Sequence, residues 1–131
     1  MIGPTRELPC ICGQSVLIVE SNALIALDLA ATLGGWGAEP VIYYDLADSA
    51  QSAASSMVSV ALIDVPDNHQ PLTGLIEVLQ RRGVPTALTT ACDKDIIGGF
   101  FPGMKIFDKP TDYSAMQQWF RAIAPTCACA G

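Results

Sequence analysis

Four residues that could do chemistry each stand at the end of a short apolar run. Glu20 closes Ser15-Val16-Leu17-Ile18-Val19, Asp64 closes the run from Val58, Thr90 closes the run from Val84, and Lys109 follows Met104 to Phe107. The Asp64 run, Val58-Ser59-Val60-Ala61-Leu62-Ile63, is apolar at almost every position, as a strand covered by helices on both faces must be. If all four runs are strands of one parallel sheet, their ends meet along the edge where open α/β sheets bind ligands. An aspartate at that edge can accept a phosphoryl group as an acyl phosphate. The developing charge then needs a cation and hydrogen-bond donors. Lys109 offers the fixed positive charge and Thr90 a hydroxyl, while Glu20 could hold a divalent ion through water. Each residue also has a plainer reading: Asp64 as a turn cap, Glu20 as a solvated strand-end acid, Thr90 as a β-branched strand residue. A lysine at a buried strand end, however, requires an anionic partner.

The elements that position these residues follow from punctuation and periodicity. Residues 1–13, with Gly3, Pro4, Pro9 and Gly13, read as an irregular lead-in. Ser15 to Glu20 is the first strand. Asn22 is a good N-cap for a helix from Ala23 to Leu33, with Gly34-Gly35 as the expected stop. That helix is apolar nearly all round, broken mainly by Asp28 and Thr32, so one face is expected to serve a partner. Ala38 to Tyr43 reads as a strand, and Asp45 or Asp48 as the cap of a small helix reaching Ser56. After the Asp64 strand, Pro71 opens a helix with Leu72, Leu75, Ile76 and Leu79 on one face, closed by Gly83. Val84 to Thr90 is a fourth strand, Asp93 to Gly98 a short helix, and Met104 to Phe107 a fifth strand. Asp112 caps a last helix with Met116, Phe120 and Ile123 as its core stripe, and Pro125 ends it. Residues 14–124 therefore form one α/β domain and 125–131 a tail. Five strand and helix alternations with right-handed crossovers give a doubly wound five-stranded parallel sheet of order 2-1-3-4-5, with helices on both faces. Glu20 and Asp64 then face one crevice at the switch point.

Bulk properties exclude several classes of function. The 131 residues carry a net charge of −6, with their seven basic residues scattered, so no basic stripe exists to neutralise nucleic-acid phosphates. A hydrophobic fraction of 50% against 15% charged describes a globular chain rather than a disordered one. No apolar run approaches the roughly 18 to 20 residues of a membrane span, and no export signal is seen, so a cytoplasmic protein is expected. Five cysteines without such a signal do not suggest a disulfide framework. The pairs Cys10/Cys12 and Cys127/Cys129 could converge on a zinc ion, but flexible thiols are the expected reading. Cys92 reads as a small apolar residue, and His69 as a solvated loop residue.

From Ser15 to Ala124 the chain resembles the receiver domain of two-component response regulators. The resemblance is carried by Val16-Leu17-Ile18-Val19-Glu20, Val60-Ala61-Leu62-Ile63-Asp64, Thr89-Thr90 and Lys109-Pro110, in this order and spacing. It implies that Asp64 is the phosphoacceptor, supplied by a sensor histidine kinase or phosphotransfer protein. Thr90 is by the same resemblance the switch hydroxyl and Lys109 the pocket lysine, with Mg²⁺ held by Glu20, Asp64 and the Pro66 backbone carbonyl. Helix text from Leu24 to Leu29 and the Gly83-Val84-Pro85 junction resemble single-domain receivers of alphaproteobacterial type. Three departures stand out. The second acid after the first strand, the direct metal ligand, is replaced by Ser21, which weakens or removes the Mg²⁺ site. The proline four after the acceptor is replaced by Asn68. The switch aromatic three before the lysine is Ile106. Whether Asp67 or Asn68 replaces the lost ligand stays open on spacing alone.

The expected function is thus a stand-alone receiver with no catalytic activity of its own, whose output is contact with a downstream protein or a second copy of itself. Tyr113 and Trp119, the latter off the core stripe and expected to be exposed, are the candidate contact surface. A degenerate receiver that binds partners without phosphorylation is the alternative. A small hydrolase is disfavoured because Pro66 stands where a second acid would be needed. A flavodoxin-like carrier is disfavoured because Glu20-Ser21-Asn22 offers no phosphate cradle.

Overall fold

The computed structural model describes residues 13–46, 48, 58–66 and 70–123. Five strands, β1 (Ser15–Val19), β2 (Glu39–Tyr43), β3 (Val60–Asp64), β4 (Thr86–Thr90) and β5 (Lys105–Asp108), form one sheet. All neighbours pair in parallel, in the order β2-β1-β3-β4-β5. The doubly wound architecture expected from the sequence is therefore present. Among the described residues four helices pack on it: α1 (Ala23–Gly35), α2 (Gln70–Arg81), α3 (Lys94–Phe100) and α4 (Tyr113–Ile123).

Strand side chains alternate between two cores because successive residues point to opposite faces. Val16, Ile18, Val60, Leu62, Ala87 and Phe107 meet Leu29 and Leu33 of α1 and Met116 and Phe120 of α4. Leu17, Val19, Ala61, Ile63 and Leu88 meet Leu72, Leu75, Ile76 and Leu79 of α2 and Ile97 of α3. Burial on both faces explains why β1 and β3 read as continuous apolar runs.

Several boundaries differ from expectation. Gly34-Gly35 does not stop α1. The helix runs through both glycines to its C-cap at Trp36, and the chain then turns left-handed at Gly37, φ 90°. Gly37 N–H donates to the Gly34 carbonyl and Ala38 N–H to the Leu33 carbonyl, both at 3.0 Å, which satisfies the last turn. The same arrangement closes α2 at Gly83, φ 71°, with Val84 N–H donating to the Leu79 carbonyl at 2.9 Å. Val84 is thus spent on the helix cap and Pro85 has no N–H to donate, so β4 begins at Thr86 rather than Val84. The third strand begins at Val60 rather than Val58, the fifth covers Lys105 to Asp108, and α3 continues through Gly98 to Phe100. Asp45 Oδ1 accepts from Asp48 N–H at 2.8 Å, as a cap does. The continuation of that helix to Ser56 lies outside the described residues, as do Asp67, Asn68, His69 and the cysteine pairs at 10/12 and 127/129.

Trp119 is not the exposed aromatic expected from the helical stripe. It is half-buried, with its ring edge-on to Phe107 at 6.0 Å and tilted against Phe120 at 5.2 Å. The core stripe of α4 is wide enough to include it because β5 ends the sheet beside this helix. Cys92 is exposed rather than packed as a small apolar residue.

Candidate functional site

The parallel register brings the strand ends to one edge. Asp64, the last residue of β3, stands opposite Thr89, and Val65 N–H donates to the Thr89 carbonyl at 3.0 Å. Glu20 follows β1 directly, and its N–H donates to the Tyr43 carbonyl at 3.1 Å, so the carboxylate leaves from a fixed point. The Lys109 N–H donates to the Thr90 carbonyl at 2.8 Å, which anchors the lysine at the end of β4.

These anchors place one ammonium between two carboxylates. Lys109 Nζ lies 2.6 Å from Asp64 Oδ1 and 2.6 Å from Glu20 Oε1. The Glu20 side chain is only 4% exposed, and those of Lys109 and Asp64 are 16% and 19% exposed. Ions this far from water require paired and hydrogen-bonded partners. The second oxygen of Glu20, Oε2, accepts the Asn22 N–H at 3.1 Å, while Asn22 Oδ1 accepts from Leu24 and Ile25 N–H at 3.0 and 3.2 Å. The N-terminus of α1 therefore helps hold the buried acid. Burial alone would depress the Lys109 ammonium, but hydrogen bonds and attraction from Asp64 and Glu20 outweigh it and hold the group above its ordinary 10.5.

Thr90 is buried, and its Oγ1 accepts the Cys92 N–H at 3.0 Å. Ser21, next to Glu20, is exposed, and Pro66, two residues after Asp64, is half-buried. Ile106 is half-buried and packs against the α2 and α3 core. Tyr113 O–H donates to Asp28 Oδ2 at 2.8 Å, tying α4 to α1, and burial followed by this bond raises the phenol above its ordinary 10.0.

Among the described residues the set does not fit a tight Mg²⁺ site. The ion needs near-octahedral oxygen ligation at roughly 2.0 to 2.1 Å and favours carboxylates. Here Ser21 offers a neutral hydroxyl, and both remaining acids already share the lysine. At an effective dielectric of 20, two unit charges about 4 Å apart interact by about 4 kcal/mol, so the ammonium offsets part of the attraction that the two carboxylates would exert on a divalent ion. Among the described residues no group of three His, Cys, Asp or Glu side chains could hold a metal.

A groove of about 550 Å³, lined largely by apolar atoms, runs from Lys109 along α1. Leu24, Ile25, Ala91, Pro110 and Tyr113 wall it. Leu24 and Leu27 are 80% and 54% exposed, so α1 carries apolar side chains on its outer face. Sequence reasoning missed the groove and the Asp28–Tyr113 link, because only the fold brings α1 beside α4. It also missed Asn22 as a support for Glu20, although the N-cap itself was legible.

The fold matches many solved structures at similar quality. One is the receiver domain of a sensor histidine kinase from Pseudomonas aeruginosa with magnesium in its active-site cleft, at 20% identity and TM-score 0.73, covering 88% of this chain and 100% of that one. Another is SdrG from Pseudomonas melonis in its beryllofluoride-activated conformation, at 23% identity and TM-score 0.70, covering 84% and 95%. A third is a receiver domain protein from Methanospirillum hungatei, at 16% identity and TM-score 0.71, covering 86% and 94%. The fold is that of response regulator receiver domains. No protein-family model and no curated protein matches the sequence. Among the described residues no helix is long and apolar enough to cross a membrane.

Proposed function

We propose that the chain is a receiver module of two-component signal transduction, with Asp64 as phosphoacceptor and protein contact as output. The observation that carries this reading is the contact of Lys109 Nζ with Asp64 Oδ1 at 2.6 Å on the sheet edge, where Asp64 keeps partial access to solvent. In the transfer, an Asp64 carboxylate oxygen attacks the phosphorus of a phosphohistidine on a histidine kinase or phosphotransfer protein. The P–N bond breaks, its electron pair stays on the imidazole nitrogen, which takes a proton from solvent, and an acyl phosphate forms on Asp64. Lys109 follows the negative charge from the carboxylate to the phosphoryl oxygens. The Thr90 hydroxyl, whose oxygen already accepts the Cys92 N–H, retains its own proton for donation to the new group. The exposed apolar residues of α1 beside the site form the contact surface for the donor or the downstream protein.

The test is incubation with phosphoramidate, whose P–N bond stands in for phosphohistidine, followed by intact mass and amide NMR. The wild type is expected to gain one phosphoryl group and shift resonances around Asp64, Thr90 and Lys109, and Asp64→Asn to do neither. Equal labelling of both proteins overturns the assignment. A second reading, a partner-binding domain that acts without phosphorylation, is favoured by one observation, the pairing of both acids with Lys109 in place of a metal-ready pocket. An unlabelled wild type whose partner binding is intact would select it.

A further inference from the structure

We infer that Lys109 serves as the built-in cation of the acidic pocket, so that the site does not take up a divalent ion, and that Ser21 is the residue that makes this arrangement stable. The inference deepens the reading of Asp64 as acceptor, but it is tested by metal binding alone, so the failure of either leaves the other to be judged separately.

Three observations lead to it. First, the ammonium is equidistant, at 2.6 Å, from one oxygen of each carboxylate, and so lies between the two acids expected to share a metal. Second, Glu20 is fixed in that pairing from its other side, since Oε2 accepts the Asn22 N–H at the start of α1. Turning Glu20 toward a metal or its water shell would give up a helix-capping contact as well as an ion pair. Third, the residue after Glu20 is the exposed, neutral Ser21. Among the described residues, a carboxylate there would set three acids against one lysine, a charge of −2 that favours a divalent ion. With Ser21 the described residues set two acids against that lysine, which leaves −1 and one carboxylate fewer to hold an ion. The same lysine is then available at every stage: on the carboxylates before transfer, and on the phosphoryl oxygens after it.

The experiment is a titration with MgCl₂ of wild type, Ser21→Asp and Lys109→Met, read by amide NMR at Glu20, Asp64 and Lys109 and by thermal midpoint. The wild type is expected to show no saturable shift through millimolar Mg²⁺. Ser21→Asp is expected to bind with a dissociation constant at least about tenfold lower than any limit set for the wild type. Lys109→Met is expected to bind as well, and to have its melting point raised by Mg²⁺, because the ion takes over the vacated role. Saturation of the wild type at submillimolar Mg²⁺ overturns the inference. So does a folded Lys109→Met that ignores the ion. Should Lys109→Met not fold, Ser21→Asp decides alone: an unresponsive Ser21→Asp shows that the serine is not what excludes the metal.

Discussion

Replacing Lys109 by methionine tests the central ion-pair cluster most severely. Methionine keeps most of the side-chain volume but removes the ammonium, leaving Glu20 and Asp64 as two like charges in a pocket whose side chains are 4% and 19% exposed. Removing one partner of a buried pair typically costs about 3 to 5 kcal/mol, because the remaining charge is left unpaired. Here two charge-assisted hydrogen bonds go at once, each worth about 1.5 to 3 kcal/mol. Glu20 retains the Asn22 N–H and Asp64 retains partial access to water, which brings the expected loss to the lower end, about 3 kcal/mol. For a domain of this size that lowers the thermal midpoint by roughly 10 °C. Chemical denaturation and calorimetry measure it, and Glu20→Gln supplies the second arm of a double-mutant cycle. Glu20→Gln in the Lys109→Met background is expected to recover part of the loss, since it removes one of the two stranded charges. A loss below about 1 kcal/mol, the range of an exposed ion pair, would refute the claim that this cluster is buried and mutually dependent. Strict additivity of the two substitutions would refute it equally.

Alkaline titration is expected to show where the lysine contributes. Its folded value is raised above 10.5, so its stabilisation is fully present below the unfolded value and is lost as pH rises through the folded one. Melting points should therefore hold steady to about pH 10 and fall above it. Lys109→Met should flatten that fall, with Tyr113→Phe separating the phenol, which is raised above 10.0 and acts in the same direction. Two glycine substitutions should have opposite signs. Gly83→Ala meets no neighbouring atom within 4 Å but sits at φ 71°, so it should destabilise by about 1 to 2 kcal/mol from backbone strain alone. Gly74→Ala, equally uncrowded inside α2, should stabilise by up to about 1 kcal/mol, and urea midpoints check both. Leu24→Ser with Leu27→Ser on the exposed face of α1 should change stability by no more than about 1 kcal/mol, while weakening capture by a phosphohistidine-bearing partner protein.

The sheet order, the two-sided burial of β1 and β3 and the convergence of Glu20, Asp64, Thr90 and Lys109 were legible because each follows from local apolar runs and their terminal residues. Those signals survive in the sequence since burial on both faces leaves few alternatives at those positions. What was not legible depended on contacts between distant segments. Gly34-Gly35 looked like a helix stop, but the glycine that turns the chain out of the helix is the one with positive φ, Gly37, just past the Trp36 cap. Trp119 looked exposed from a narrow helical stripe, and only the placement of Phe107 on the neighbouring strand covers it. Glu20 could have been a solvated acid. Its burial arises from Lys109, 89 positions away, reaching back across the sheet edge. The distinction between a solvated acid and half of a buried cluster is therefore invisible to spacing alone.

The most direct measurement is to find which side chain carries the phosphoryl group. After treatment with phosphoramidate, borohydride cleaves an acyl phosphate reductively and leaves an alcohol at that one position, which peptide mass spectrometry can locate. The expected result is reduction at Asp64 alone, abolished in Asp64→Asn. Reduction at another carboxylate, or none in protein shown to be folded, would contradict the assignment of Asp64 as the acceptor.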